Sequence, residues 1–144
     1  MDPHFWTNNL AEPSRATWRG YAFERLCMAH IAQIKQILGI SGVITNIYAF
    51  RSSPLEGGAQ IDMVIDRRDD TINLCECKYT NKTYVIAKAD AMDFERKKDI
   101  FLNETGTRKS IHMTMITSNG IVQNAYRNEI QSEITLDDLF QPLV

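Results

Sequence analysis

The chain lacks what would commit it to a membrane, an oxidising compartment or a highly charged partner. No apolar run approaches the roughly 20 residues that cross a bilayer, so no membrane partner is expected. The opening residues, Met1-Asp2-Pro3-His4-Phe5-Trp6, lack the basic-then-apolar pattern of a secretory leader. Cysteine is scarce. Three residues, an odd number with two only one position apart, do not make a disulfide framework, and a reducing cytoplasm is the expected location. Positive charge is also short: 16 Lys and Arg against 18 Asp and Glu leave a net charge of −2 and a pI near 5.9. A dedicated non-specific DNA binder is basic, because phosphate neutralisation supplies most of that affinity. Tight autonomous DNA binding is therefore disfavoured, whereas a nuclease with an acidic centre and a delivered substrate is not. No Gly-x-x-x-x-Gly-Lys-Ser/Thr phosphate loop occurs, so the chain is not itself an ATPase of that kind.

What is present is an ordinary globular composition, 44% hydrophobic and 24% charged over 144 residues. That length makes one domain and buries about two-thirds of the unfolded surface. Residues 1–16, with Pro3, Asn8, Asn9 and Pro13, read as a lead-in or linker, and 17–144 as the domain. Between 17 and 38 the period is helical. Phe23, Leu26, Cys27, His30, Ile31, Ile34, Ile37 and Leu38 form a core-facing stripe that Gly39 ends. A first strand is predicted over 43–50, then a hairpin, then a helix over 88–103 with Ala91, Phe94, Phe101 and Leu102 on its apolar side. A strand over 110–117, a short helix over 121–127, a last strand over 129–134 and a final turn complete the chain. The expected fold is α/β, a mixed central sheet flanked by helices in the order α-β-β-β-α-β.

The hairpin carries the chemistry. Gln60 to Asp66 and Thr71 to Tyr79 both alternate apolar and polar residues around Arg67-Arg68-Asp69-Asp70. Gln60, Asp62, Val64 and Asp66 share one face, and Ile61, Met63 and Ile65 the other. Ile72, Leu74, Glu76 and Lys78 share a face, with Asn73, Cys75 and Cys77 behind. A three-residue loop, Arg68 to Asp70, pairs Val64 with Leu74 and Asp62 with Glu76, and brings the two carboxylates to within roughly 5 Å at Cβ. A slip of one residue would put them on opposite sides of the sheet. Two acidic oxygens at that spacing, with the Cys77 carbonyl and waters, suit Mg²⁺ or Mn²⁺. Lys78, one pleat along, is placed to orient or deprotonate a water and to stabilise charge on a phosphate. The bland alternative is a solvated sheet face that happens to carry Asp, Glu and Lys. Against it, Glu76 and Lys78 continue a face that begins Ile72 and Leu74.

Gly-x-x-Ile-Asp, a short gap, then an apolar strand ending Glu-Cys-Lys resembles the PD-(D/E)xK, or restriction-endonuclease-like, nuclease superfamily. Three strings, Trp18-Arg19-Gly20-Tyr21-Ala22-Phe23-Glu24, Gly58-Ala59-Gln60-Ile61-Asp62 and Ile72-Asn73-Leu74-Cys75-Glu76-Cys77-Lys78, resemble the C-terminal nuclease-like domain of prokaryotic AAA-type ATPases. The likeness spans about Trp18 to Phe140. It implies a Mg²⁺-dependent deoxyribonuclease in which Asp62 and Glu76 bind the metal and Lys78 serves the attacking water. Glu24 matches the acidic residue on the family's first helix that adds to the metal site. An AAA-type ATPase, upstream or in trans, is the implied partner, and the chain is then part of a longer protein or a stand-alone relative. A homo-oligomer is also compatible with it.

Gln60 shares the face of Asp62, and Lys97, Lys98, Arg108 and Lys109 are the candidate phosphate contacts, with solvated charge as the plainer reading. Cys27-x-x-His30 and Cys75-x-Cys77 offer four zinc ligands, though not at the usual spacings. The rival from another class is a non-catalytic module of the same fold that binds nucleic acid or protein and regulates an ATPase.

Overall fold

The computed structural model describes residues 12–144, with side chains from Trp18 onward except Glu56. Among the described residues three α-helices, α1 (Glu12–Met28), α2 (Ile31–Ile37) and α3 (Lys88–Thr105), flank five strands. These are β1 (Thr45–Arg51), β2 (Gln60–Arg67), β3 (Thr71–Lys78), β4 (Ser110–Thr117) and β5 (Ser132–Thr135). They form one mixed sheet in the order β1-β2-β3-β4-β5. The first three are antiparallel, and β3, β4 and β5 run parallel. Parallel neighbours need a long crossover, and α3 supplies it between β3 and β4. The α/β architecture and the element order agree with the expectation.

The two faces of the sheet are covered by different helices. Met63, Ile65, Cys75, Cys77, Ile116 and Ile134 pack with Phe23, Cys27 and Ile34 of α1 and α2. On the other face Val64, Leu74, Met113 and Met115 pack with Phe94 and Phe101 of α3. Period-2 alternation in β3 thus feeds two cores at once, which is why Ile72 through Cys77 are all buried. The hairpin register is the expected one, with Val64 opposite Leu74. Its loop is Arg68 to Asp70, with Asp70 taking the left-handed conformation (φ 62°) that Asp tolerates better than most residues.

The alternation in β2 breaks where it matters most. Tyr48 of β1 pairs with Val64, yet Phe50 pairs with Ile61. One residue lies between the first members and two between the second, so β2 carries one extra residue, a bulge at Asp62 and Met63. Ile61 therefore does not share a face with Met63 and Ile65 as strict alternation predicts. It joins Val64 and Phe50 under α3, while Met63 stays under α1.

Other differences are local. The helix expected over 17–38 begins earlier, at Glu12, and is broken into α1 and α2. The cause is His30, whose Nδ1 donates to the Leu26 carbonyl at 2.7 Å, while its backbone N–H turns to Cys27 O. A side chain thus satisfies the carbonyl that the helix would have satisfied. The lead-in expected over 1–16 lies mostly outside the described residues. The short helix expected over 121–127 is a 3₁₀ turn at Ala125–Glu129 instead. Residues 120–122 are drawn into extended pairing by Tyr84, whose N–H donates to Gly120 O while its carbonyl accepts from Val122 N–H. The last strand begins at Ser132, not 129.

Phe101, fully buried and edge-on to Phe50 at 5.1 Å between ring centroids, fastens α3 to the sheet. Phe101→Ala is expected to destabilise the protein by about 3–5 kcal/mol in urea denaturation; a loss under about 1 kcal/mol would contradict this packing.

Candidate active site

The site grows from one buried carboxylate. Glu76, on the α3 face of β3, is only 2% exposed. An isolated carboxylate so placed is costly, and the fold answers with Lys97, whose Nζ donates to Glu76 Oε1 at 2.7 Å. Lys97 also lies 3.4 Å from Asp93, one turn earlier on α3. Burial alone would depress the lysine, but Glu76, Asp93 and Asp62 together hold its pKa above the usual value. At Glu76 the balance goes the other way: burial and the Asp62 charge outweigh the lysine and push the carboxyl up to about 7. The pair thus keeps a firmly protonated lysine beside a carboxyl that holds its own proton unusually well.

Asp62 comes in from the β2 bulge. Its Oδ2 accepts a 2.9 Å hydrogen bond from the Cys77 backbone N–H, across the hairpin and beyond the last regular pair, Met63 with Cys75. This leaves Oδ1 for another partner. Glu24 reaches the same place from α1, and burial, followed by the Asp62 charge and a hydrogen bond with Asp62, raises it to about 7. Glu24, Asp62, Glu76, Lys78 and Lys97 line one open cleft of about 390 Å³, joined by Cys77, Gln60 and Tyr79. Unlike Lys97, Lys78 makes no ion pair among the described residues. Two carboxyls pushed towards neutrality in one cleft are the kind of perturbation found at reactive centres.

The structure brings together Asp62, Glu76, Lys78, Glu24, Cys77 and Gln60, as expected. It also moves Lys97 from the expected phosphate contacts into the centre itself. The signal was in the spacing: Lys97 sits three residues after Phe94 and four before Phe101, on the buried stripe of α3 rather than beside it. Lys98 turns away to Glu95 at 3.8 Å. Arg108 and Lys109 precede β4, whose start pairs with Thr71, whereas the site lies at the Lys78 end. Five to seven residues of strand, roughly 17–23 Å, separate them. Lys109 is further engaged by Asp66 Oδ1 at 2.6 Å and the Arg67 carbonyl at 2.7 Å.

The zinc alternative does not assemble. Cys27, Cys75 and Cys77 do converge beneath the site, but they are buried within the apolar core. The Cys77 thiol is raised first by its hydrogen bond with Cys27 and then by burial, and burial likewise raises Cys75. His30 is turned away to Leu26 O and the Phe140 ring. Among the described residues no group of three or more His, Cys, Asp or Glu is arranged to hold a metal ion. Any ion at the cleft therefore relies on two carboxylates, backbone and water.

No family model and no curated protein matches the chain. Among solved structures it is similar to the crystal structure of a protein of unknown function, AF1548, at 17% identity and a TM-score of 0.47. That match covers 76% of this chain but 56% of the other, so the chain spans little more than half its neighbour's length.

The raised carboxyls set a pH dependence. The folded protein holds protons on Glu24 and Glu76 up to about pH 7, whereas unfolded glutamates release them near pH 4.3. Between those values the native state binds more protons, so stability falls as pH rises from about 4 to 7 and then levels. For buried Glu76 the fall is of the order of 3 kcal/mol. Denaturant unfolding in EDTA should show this decline, and Asp62→Asn should flatten it by removing one of its causes; a metal-free stability that rises over this range would refute the assignment.

Proposed function

We propose that the chain is a divalent-metal-dependent nuclease-type domain that hydrolyses DNA phosphodiester bonds and works with an AAA-type ATPase domain, upstream or in trans. The observation that carries this reading is the meeting of Asp62 and Glu76, from adjacent strands, in one cleft lined also by Lys78, which makes no ion pair among the described residues. The resemblance of the strings around Glu24, Asp62 and Glu76-Cys77-Lys78 to a restriction-endonuclease-like nuclease domain supports the same assignment.

The donor set fits Mg²⁺ or Mn²⁺. It consists of hard oxygens: Asp62 Oδ1 and Glu76 Oε2 lie outside the bonds to Cys77 N–H and Lys97. The hydrogen bonds that the Asp62 carboxylate shares with Glu24 and Glu76 would yield to an ion. Magnesium is commonly held by one or two carboxylates with water completing the shell. Asp62, Glu76 and the Cys77 carbonyl would hold the ion, with Glu24 on the rim. When bound, the ion supplies positive charge to the phosphoryl oxygen and acidifies water. Lys78 positions the attacking water for in-line displacement and offsets charge on the phosphate. Lys97 fixes the Glu76 carboxylate through its 2.7 Å bond, so that this ligand does not swing into the cleft. Glu24 and Glu76 would have to give up their protons for an ion to load, which would couple binding to pH.

A second reading is favoured by one feature. Lys97 already neutralises Glu76 without any metal, as a non-catalytic module that regulates an ATPase would require.

Purified protein incubated with plasmid and single-stranded DNA in Mg²⁺, Mn²⁺ or EDTA separates the two. The nuclease reading expects metal-dependent cleavage, lowered about 100- to 10,000-fold by Lys78→Ala and abolished by Glu76→Ala. Cleavage that survives both substitutions belongs to a contaminant, and absence of both cleavage and metal binding by calorimetry supports the module. Metal loading should also raise the melting temperature more at pH 8 than at pH 6, because the ligands must lose their protons.

A further inference from the structure

We propose that the cleft continues into a stacking platform for the bases of single-stranded DNA, formed by Trp18, Tyr21 and Tyr79 with Arg19 beside them. The proposal rests on the nuclease reading of the cleft and adds the form of its substrate. Trp18 and Tyr21 on α1 are 67% and 58% exposed, and Tyr79 is 44% exposed. Exposed aromatic rings gathered at one place on a soluble domain mark a binding surface more often than chance.

Their placement ties them to the reacting centre. Tyr21 and Tyr79 line the cleft that holds Glu24, Asp62 and Glu76. Tyr79 also lines an adjoining apolar groove of about 410 Å³, together with Trp18 and Arg19. It directly follows Lys78, so a ring and the ammonium group come from consecutive residues at the end of β3. The Tyr79 ring packs against buried Phe23, centroids 5.9 Å apart and planes tilted by 58°. One side is thereby supported from the core, while the residue stays open to solvent.

The distribution of cations argues for a single strand rather than a duplex. Affinity for duplex DNA comes mainly from phosphate neutralisation. Here Lys97 in the cleft is engaged by Glu76, and Arg67, Arg96, Lys98, Lys109 and Arg127 are likewise engaged by carboxylates. That leaves Lys78 and Arg19 as the cations lining the cleft and groove that make no ion pair among the described residues. Stacking supplies affinity without a basic excess, because every unpaired base offers a π-face. Bases inside a duplex are covered by their neighbours and offer none to these rings. Arg19 adds a cation that can stack as well as pair.

The test is fluorescence anisotropy in EDTA with a labelled 12-nucleotide single strand and its blunt duplex. The single strand is expected to bind at least tenfold more tightly. Trp18→Ala and Tyr79→Ala should each weaken it about 5- to 150-fold, while Tyr79→Phe, which keeps the ring, should stay within about twofold. Equal or tighter binding of the duplex overturns the proposal, as do alanine variants that bind like the parent; metal-dependent plasmid cleavage surviving in that case leaves the nuclease reading standing alone. Ring-dependent binding of the single strand, with no cleavage by the parent protein in Mg²⁺, supports the platform and removes the nuclease reading.

Discussion

The structure depends on holding like charges together in a poorly solvated place. Asp62 and Glu76 arrive on neighbouring strands, and cross-strand carboxylates repel. Everything around them answers that repulsion. The Cys77 N–H takes one oxygen of Asp62, Lys97 takes one of Glu76, and the carboxyls of Glu76 and Glu24 hold their protons to about pH 7. The helices serve the same end. α3 is anchored by Phe94 and Phe101 on the Leu74 face of the sheet, which places Lys97 between them over Glu76. α1 is anchored by Phe23 and Cys27 on the opposite face, which carries Glu24 to the rim. The crossover that makes the sheet mixed is also the element that neutralises its most buried acid.

Much of this was legible because β3 obeys a rule with period two. Val64 against Leu74 is the register that stacks apolar on apolar, and it brings Asp62 and Glu76 to the same end of the hairpin. Asp62, Glu76 and Lys78 followed from that one pairing, whereas Glu24 came from the resemblance and the place of Lys97 was not foreseen. The bulge in β2 was not legible, because it arises from how β1 pairs with β2, and nothing in residues 60–66 marks an extra residue. It moved Ile61 from one core to the other and ended the regular pairing at Met63 with Cys75. Asp62 therefore does not pair with Glu76 in the ladder but bonds to the Cys77 N–H and meets Glu76 in the cleft. The break at His30 was hidden for another reason: its position on the apolar stripe is correct, but its ring competes with the backbone for Leu26 O. Periodicity sees where a side chain points and not which carbonyl it captures.

Charge was the hardest property to read from the linear order. Arg96-Lys97-Lys98 looks like one basic run, yet its members have three different fates: Asp93, Glu76 and Glu95. Arg108 and Lys109 look close to the hairpin in topology and are a strand's length from its reactive end. Arg67, Arg96, Lys97, Lys98, Lys109 and Arg127 are held by carboxylates of the fold, so among the described residues Lys78 and Arg19 are the cations without an ion pair that line the cleft and its adjoining groove.

That shortage bears on which of the two functional readings the site favours. Three carboxylates, Glu24, Asp62 and Glu76, face two ammonium groups, Lys78 and Lys97, in the same cleft. With all five ionised the cluster carries an excess of one negative charge. In the metal-free protein a proton fills that deficit, and it is burial, followed by the Asp62 charge, that raises Glu24 and Glu76 towards neutrality. A divalent cation would fill it better, since it brings charge to the oxygens that Lys97 and Cys77 leave open. A domain needed only as a scaffold has no use for the imbalance, because apolar side chains of similar volume commonly replace a buried charged cluster without loss of stability. The charge balance of the cleft therefore supports the proposed ion-binding reading over the scaffold, and Lys78, which makes no ion pair among the described residues, supports the proposed action on what that ion would hold.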